Sequence, residues 1–182
     1  MTGESGILRR PSPKRRRRCP GRRRPQQDGT GADHRRRSSP VQHAATAPRL
    51  ADLSVGDEAP PLVVENLTRT HFVRYAGASG DFNPMHHDDT IATQVGNPSV
   101  FGHGMLTAGL MARAVKDWFG PEAIRRLQVR FAKQVWPGES LTFTATVTGV
   151  NVADGTVDLA LSARNAEGEE KLAGTATALA AP

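Results

Sequence analysis

The sequence contains a single cysteine, Cys19, among its 182 residues. One cysteine excludes an intramolecular disulfide framework and any zinc site built from cysteine pairs. Long apolar runs are also missing, since the most apolar stretch, around 105–119, is interrupted by Arg113, Lys116 and Asp117. No segment approaches the roughly 18 apolar residues of a membrane-spanning helix. These absences predict a chain without membrane contact, which we expect in the cytoplasm.

Acidic residues are scarce in the first 49 residues, where 14 basic residues face three acidic ones, for a net charge of +11. Residues 50–182 hold 10 basic and 15 acidic residues, for a net charge of −5. Arginine runs, repeated proline and glycine, and few large apolar side chains predict that 1–49 is a disordered extension. The remaining 133 residues, 50–182, suit one domain of ordinary size.

The arginine-rich extension is open to several interpretations. Dense arginine can bind nucleic-acid phosphates, but the acidic 50–182 region offers no continuing basic surface, so nucleic-acid binding is not favoured. A twin-arginine export signal would need an apolar stretch after Arg9-Arg10, and a mitochondrial presequence would need an amphipathic helix, which the prolines prevent. The favoured interpretation is an extension without a role, created by a mis-assigned start codon, with Val41 as an alternative start.

Hydrophobic periodicity from residue 50 onward predicts one short strand, then helices, and then a series of strands. The predicted helices cover 69–78, with Thr68 as N-cap, 88–95 and 103–119. The predicted strands cover 62–65, 127–135, 141–148, 157–163 and 171–179. Hairpin turns such as Asp154-Gly155 make the sheet antiparallel, and its apolar face has to pack on the long helix. The predicted buried stripe of that helix runs through Met105, Gly109, Ala112, Val115 and Phe119, and the predicted fold class is α+β.

Residues that could carry chemistry concentrate at two places. Asp81, Asn83 and His86 lie within six residues on a loop stiffened by proline, and we expect this loop in solvent. A carboxylate and an imidazole held on one loop can bind a single water molecule and exchange protons with it. Gly104 follows His103 at the start of the long helix, where the first N–H groups lack intrahelical acceptors. The Gly104 N–H is therefore a candidate oxyanion donor.

A metal site is not favoured. The run from His86 to Asp89 holds metal-binding residue types, but adjacent residues rarely converge on one ion, and no His or Glu recurs four residues on. We expect neither metal nor cofactor. Taken alone, the Asp81–Pro84 segment is an ordinary Asx-turn, and His103 could equally pack at or cap the helix start. His71 is expected to be a residue of the helix surface.

Taken together, the two segments resemble a known family. The stretch YAGASGDFNPMH at 75–86 resembles the signature of the MaoC-like dehydratases, also called hydratase 2 or (R)-specific enoyl-CoA hydratases. The stretch FGHGML at 101–106 resembles that family's helix-start motif, and the spacing from His86 to Gly104 matches as well. The resemblance covers about 50–179, and the chain is most similar to actinobacterial 3-hydroxyacyl-thioester dehydratases, including the catalytic subunit of the mycolic-acid dehydratases.

The resemblance implies a hot-dog fold, in which an antiparallel sheet wraps one long central helix. It implies a hydro-lyase of fatty-acid metabolism that reversibly adds water to trans-2-enoyl thioesters of coenzyme A or acyl carrier protein, giving (R)-3-hydroxyacyl thioesters. In the family pattern Asp81 and His86 hold the catalytic water, Asn83 supports the site, and Gly104 with His103 forms the oxyanion and substrate-binding part. A homodimer, or a heterodimer with a related hot-dog subunit, is expected.

Two positions depart from the family pattern. His87 stands where a tryptophan or an apolar residue is usual, and Gly102 stands where an alanine or aliphatic residue is usual; we expect both to alter acyl-chain preference.

Two other functions stay open. One is a non-catalytic partner subunit that binds the acyl chain, although such a subunit would be expected to lose Asp81 and His86. The other is a hot-dog thioesterase, which usually places its carboxylate differently.

Overall fold

The computed structural model describes residues 47–182. The interpretations of the arginine-rich extension, including Cys19 and a start at Val41, lie outside the described residues. Arg49, in contrast, forms a β-bridge with Ala181, and the Leu50 N–H donates to the Ala181 carbonyl at 2.8 Å. The division into 1–49 and 50–182 stays a prediction. Between residues 47 and 182 we find no helix with the length and apolar character needed to cross a membrane.

The described region consists of an antiparallel sheet and three α-helices, in agreement with the predicted α+β class. The helices are α1 (Arg69–Ser79), α2 (Asp89–Gln94) and α3 (Gly104–Phe119), and single turns of 3-10 helix lie at Leu50–Asp52 and Pro84–His86. The strands are β1 (Leu62–Val64), β2 (Ile124–Phe131), β3 (Leu141–Asn151), β4 (Thr156–Asn165) and β5 (Glu170–Leu179). The strand order is β1-β3-β4-β5-β2, so β1 and β2 lie at the two edges.

The core lies between α3 and one face of the sheet. Strand β3 alternates as predicted, with Leu141, Phe143, Ala145 and Val147 buried. The predicted helix face is confirmed for Val115 and Phe119, which are buried, but wrong for Met105 and Gly109, which are exposed. The buried residues of α3 are Thr107, Ala108, Met111, Ala114, Val115 and Phe119. In the N-terminal half the buried stripe includes Met111 rather than Gly109, because Met111 offers apolar surface for burial and glycine offers none.

Strand β2 begins and ends earlier than the predicted 127–135. After Phe131 the chain leaves the sheet, and the N–H groups of Ala132 and Lys133 both donate to the Lys171 carbonyl, at 3.0 and 3.3 Å. Val135 is buried, which explains the apparent alternation, but it lies in a loop. Its carbonyl accepts the Gly102 N–H at 2.8 Å, so this loop is tied to the segment that precedes α3.

Helix α1 sets the position of the candidate loop. It begins after Thr68, as predicted, and His71 completes its capping box, since the His71 Nδ1 accepts the Thr68 N–H at 3.0 Å. Gly80 ends it with φ of 73° in the left-handed region, a conformation that favours glycine. The chain therefore turns sharply at Gly80 and enters the segment that carries Asp81.

Candidate active site

The loop that follows α1 is organised by two side chains of the predicted site. The Asp81 Oδ1 accepts the Asn83 N–H at 3.2 Å, and the Asn83 Oδ1 accepts the Met85 N–H at 3.1 Å, which caps the turn Pro84–His86. The Asx-turn thus fixes one carboxylate oxygen of Asp81. The other, Oδ2, stays available in a side chain that is 52% exposed.

His86 lies inside the protein, with 8% of its surface exposed, so the expectation of a wholly solvated loop was wrong for this residue. The turn that begins at Pro84 rolls the ring inward, where its Nδ1 lies 2.7 Å from the Phe101 carbonyl oxygen. A carbonyl can only accept, so Nδ1 carries the proton and Nε2 of the neutral ring has a free lone pair. Sequence spacing gave no sign of this backbone acceptor, which lies 15 residues away.

The surroundings of His86 keep its ring neutral at pH 7. Burial, the largest effect, lowers the pKa of His86 below the ordinary 6.5, because a charged ring loses solvation. The bond to the Phe101 carbonyl and the charge of Asp81 raise the pKa, and the neighbouring rings of His103 and His87 lower it. The net result is a lowered pKa, so the Nε2 lone pair is available to accept a proton from water.

His103 contacts both predicted dyad residues. Its side chain is 1% exposed, and its Nε2 donates to the Asp81 carbonyl at 3.0 Å and lies 3.9 Å from the Asp81 Oδ2. Its ring stacks on that of His86, with centroids 3.7 Å apart and planes inclined by 29°. The Nδ1 of His103 is buried without a hydrogen-bond partner among the described residues. His103 therefore packs the two dyad residues together, and its expected role in substrate binding stays a prediction.

The side chains of Asp81, His86 and His103 converge, with one ligand atom of each within 4.8 Å of the others. Two groups at such a distance can share one water molecule through hydrogen bonds of about 2.8 Å. A metal ion fits less well, because the in-plane lone pairs of stacked rings run side by side rather than converging on one point. The Nδ1 of His86 and the Nε2 of His103 also face carbonyl oxygens. The absence of a metal remains our expectation.

Gly104 lies in the wall of a cavity of about 320 Å³. The cavity lining also includes Phe101, Thr107 and Phe131, but it does not include Asp81 or His86. Phe101 connects the two places, since it borders the cavity and its carbonyl holds His86. A Cβ on Gly104 would lie 3.2 Å from the Phe131 ring, so glycine leaves room at the helix start. The arrangement brings a first-turn N–H to a cavity next to a carboxylate–imidazole pair.

The two unusual positions differ in their surroundings. His87 is exposed, and its Nε2 donates to the Phe82 carbonyl at 3.2 Å. Gly102 is buried, and a Cβ there would lie 2.9 Å from the ring of Phe72. Phe72 is itself fully buried and fills the space that a larger residue at 102 would need. The expected influence of both positions on acyl-chain preference stays a prediction.

The close approach at Gly102 predicts a stability effect. Gly102→Ala should lower the free energy of unfolding by about 1–3 kcal/mol, because the added methyl group overpacks a site beside Phe72. Gly109→Ala is the matched control: Gly109 is exposed within α3 with nothing within 4 Å of an added Cβ, so the variant should gain about 0.5–1 kcal/mol. Urea unfolding of both variants measures the difference, and equal stabilities would contradict it.

Comparison with known proteins gives concordant results. The MaoC like domain family matches residues 56–168. The chain is 41% identical over 80 residues to the "Peroxisomal hydratase-dehydrogenase-epimerase" of Saccharomyces cerevisiae, covering 44% of this chain and 9% of that protein. It is 36% identical over 121 residues to the "3-hydroxyacyl-thioester dehydratase X" of Mycobacterium tuberculosis, covering 66% of this chain and 40% of that protein. The chain thus spans well under half the length of these two relatives.

Solved structures share this fold. The crystal structure of the ChsH1-ChsH2 complex from Mycobacterium tuberculosis matches with a TM-score of 0.63 and 30% identity, covering 70% of this chain and 98% of that chain. This match, with others like it, confirms the expected hot-dog fold, in which the antiparallel sheet packs around α3.

Proposed function

The chain belongs to the MaoC like domain family, and we propose that its site reversibly adds water to trans-2-enoyl thioesters, giving (R)-3-hydroxyacyl thioesters. The relatives described above include a hydratase-dehydrogenase-epimerase and a 3-hydroxyacyl-thioester dehydratase, which supports hydro-lyase chemistry. The observation that carries the proposal is the approach of Asp81 to His86, with ligand atoms within 4.8 Å, beside a cavity walled by Gly104.

In the proposed reaction a water molecule lies between the Asp81 carboxylate and the Nε2 of His86. The dyad accepts one proton as the water oxygen bonds to the β-carbon of the substrate. The electron pair of the double bond moves toward the α-carbon and the thioester carbonyl, where the Gly104 N–H and the helix dipole stabilise the developing charge. A proton held by the dyad then passes to the α-carbon, and dehydration runs the same steps in reverse. Asn83 maintains the turn that holds Asp81.

We propose further that the working unit contains a second hot-dog subunit, either another copy or a related chain. Three large apolar side chains next to the site residues, Phe82, Met105 and Phe131, are largely exposed, as is typical of a surface that a partner covers. The neighbour named above was solved as a complex. The mass of the isolated chain in solution separates the two forms: about twice the 19.5 kDa of one chain supports a homodimer, and a monomer would contradict the homodimer and leave only a related chain as the partner.

A hydration assay with crotonyl-CoA separates the candidate functions. Loss of the enoyl absorbance without release of free thiol supports hydration. Release of free thiol would instead support the thioesterase, and neither change would leave the acyl-binding partner subunit as the better explanation. The presence of both Asp81 and His86 already favours the enzyme. The same assay with an acyl-carrier-protein thioester compares the two carriers.

The configuration of the product is a separate expected result. A dyad fixed on one side of the substrate presents water to one face of the alkene, so the (R)-3-hydroxyacyl thioester should be the main product. Chiral chromatography after hydrolysis of the thioester measures this, with both synthetic enantiomers as standards. Predominance of the (S) isomer would reject the proposed placement of the water.

The rate of hydration should fall as the pH is lowered through the pKa of His86. Burial holds that pKa below 6.5, so the ring is neutral at pH 7 and becomes charged only in more acidic solution. Once Nε2 is protonated it can no longer accept a proton from the water. A profile of kcat between pH 4.5 and 8, with circular dichroism to verify folding, tests this. A midpoint of the acid limb above 6.5 would contradict it.

A further inference from the structure

A buried lysine outside the proposed dyad has all three of its N–H donors occupied. The Nζ of Lys171 lies 2.7 Å from the Glu139 Oε1, 2.6 Å from the Glu169 Oε2 and 3.0 Å from the Gln134 carbonyl oxygen, and the side chain is 1% exposed. Burial lowers the pKa of Lys171, but the bonds and charges of the two carboxylates outweigh it and hold the pKa above its usual value. A buried ion pair is costly to desolvate, and this one ties the loop at Gln134 to the start of β5.

A continuous series of hydrogen bonds leads from this ion pair to His86. The Oε2 of Glu139 accepts the Trp136 N–H at 2.7 Å. The carbonyl of the same peptide unit, that of Val135, accepts the Gly102 N–H at 2.8 Å. The carbonyl of that second peptide unit, that of Phe101, accepts the Nδ1–H of His86 at 2.7 Å. Two peptide units therefore link the carboxylate of Glu139, whose side chain is 16% exposed, to the imidazole of the proposed dyad.

The direction of these hydrogen bonds determines how the charge of Glu139 affects His86. Both peptide units point their N–H toward the carboxylate and their carbonyl toward His86, so each hydrogen bond polarises the next. A negative charge at the far end makes the Phe101 carbonyl a stronger acceptor. A stronger acceptor favours the proton on Nδ1 and makes Nε2 more basic, as carboxylate partners do for metal-bound histidines. Lys171 offsets the charge of Glu139 and holds the carboxylate where it can receive the first bond.

We propose that Glu139 and Lys171 are positioning residues for His86, which fix its ring in the Nδ1–H tautomer and in the orientation that presents Nε2 to water. The tautomer follows from the hydrogen bonds alone, whereas the effect on the rate rests on the proposed hydratase function. The other charged or titratable groups that act on His86 are Asp81, His103 and His87, and all three stay unchanged in the variants below.

The test compares two substitutions that each remove one negative charge beside Lys171. Glu139→Gln keeps the size of the side chain but removes the charge from the end of the series. Glu169→Gln removes the other carboxylate, which does not belong to the series. Nitrogen-15 NMR of histidine-labelled full-length protein, with His86 assigned through His86→Gln, reports the tautomer and its titration directly.

In the wild type His86 should show the Nδ1–H tautomer. In Glu139→Gln the pKa of His86 should fall, and the acid limb of the rate profile should move to lower pH. We also expect kcat to fall about 10-fold with KM little changed, the scale usual for outer partners of a functional histidine. Glu169→Gln should keep the wild-type titration and kcat. An Nε2–H tautomer in the wild type, or equal His86 titrations in the two variants, would overturn the proposal.

If Glu139→Gln does not fold, the double variant Glu139→Gln/Lys171→Met, which removes both charges of the pair together, takes its place in the comparison. The NMR readout does not depend on turnover. A wild-type protein without hydratase activity, but with the expected tautomer and a shifted titration in the variant, would refute the proposed function and leave the positioning role supported.

Discussion

Asp81→Asn is expected to lower kcat for enoyl-thioester hydration at least about 100-fold, the usual scale of a lost acid–base group. The amide oxygen of asparagine can still accept the Asn83 N–H, so the Asx-turn should persist. Asparagine cannot take up the proton of the bound water, however. Because the Asp81 side chain is about half exposed, the variant should fold normally, and its melting temperature should stay close to that of the wild type.

Asp88→Asn provides the matched control for this charge change. Asp88 is the N-cap of α2, where its Oδ1 accepts the Thr90 N–H at 2.9 Å, and asparagine caps helices about as well. This variant loses the same charge seven residues further along the chain and should keep wild-type turnover. A wild-type rate for purified Asp81→Asn would remove Asp81 from the proposed dyad. Equal losses in both variants would mean that general charge, and not the dyad, sets the rate.

His86 gives a less clean test than the sequence alone indicates. The sequence favours a solvated loop, in which His86→Ala would affect only chemistry. In the structure the ring is buried, bonds the Phe101 carbonyl and stacks on His103. Removing it leaves a buried carbonyl without its partner and a space beside His103, both of which cost stability. A lower rate in His86→Ala would therefore combine lost chemistry with altered packing.

Local sequence patterns correctly predicted the structural features that depend only on residues close together in the chain. The cap at Thr68, the helix that begins after His103 and the alternation of β3 all follow from residue types within a few positions. The same reasoning failed where distant segments decide. Val135 continues an apparent strand pattern, but hydrogen bonds to Gly102 and Lys171 draw its segment out of the sheet. Periodicity cannot reveal such a contact.

The candidate site likewise combines residues that the local sequence predicts with groups that distant segments supply. Spacing and resemblance point to Asp81 and His86, because both lie on one short loop. The groups around them come from elsewhere in the chain: the Phe101 carbonyl is 15 residues from His86, and His103 is 22 residues from Asp81. Glu139 and Lys171 gave no signal, since a lysine at the start of a strand usually marks a solvent-facing position. Only the fold shows that this lysine is buried between two carboxylates.

The largest expected effect on the oxyanion part of the site comes from Gly104→Pro. Proline has no N–H, and loss of one oxyanion donor typically lowers kcat about 10²–10³-fold. The backbone accepts this change better than most, because Gly104 is the first residue of α3, a position where proline is common. The residue before a proline must be extended, and His103 already has φ −58° and ψ 132°.

Gly104→Ala separates the missing N–H from the added bulk. Alanine keeps the N–H, and its Cβ would lie 3.2 Å from the ring of Phe131, about half of which is exposed, so the ring can move aside. We therefore expect kcat to fall far less in Gly104→Ala than in Gly104→Pro, with both variants folded by circular dichroism. Because the N–H acts on charge that develops during the reaction, the proline variant should lose kcat rather than raise KM. Equal losses in the two variants would show that crowding by Phe131, and not the missing donor, limits the rate.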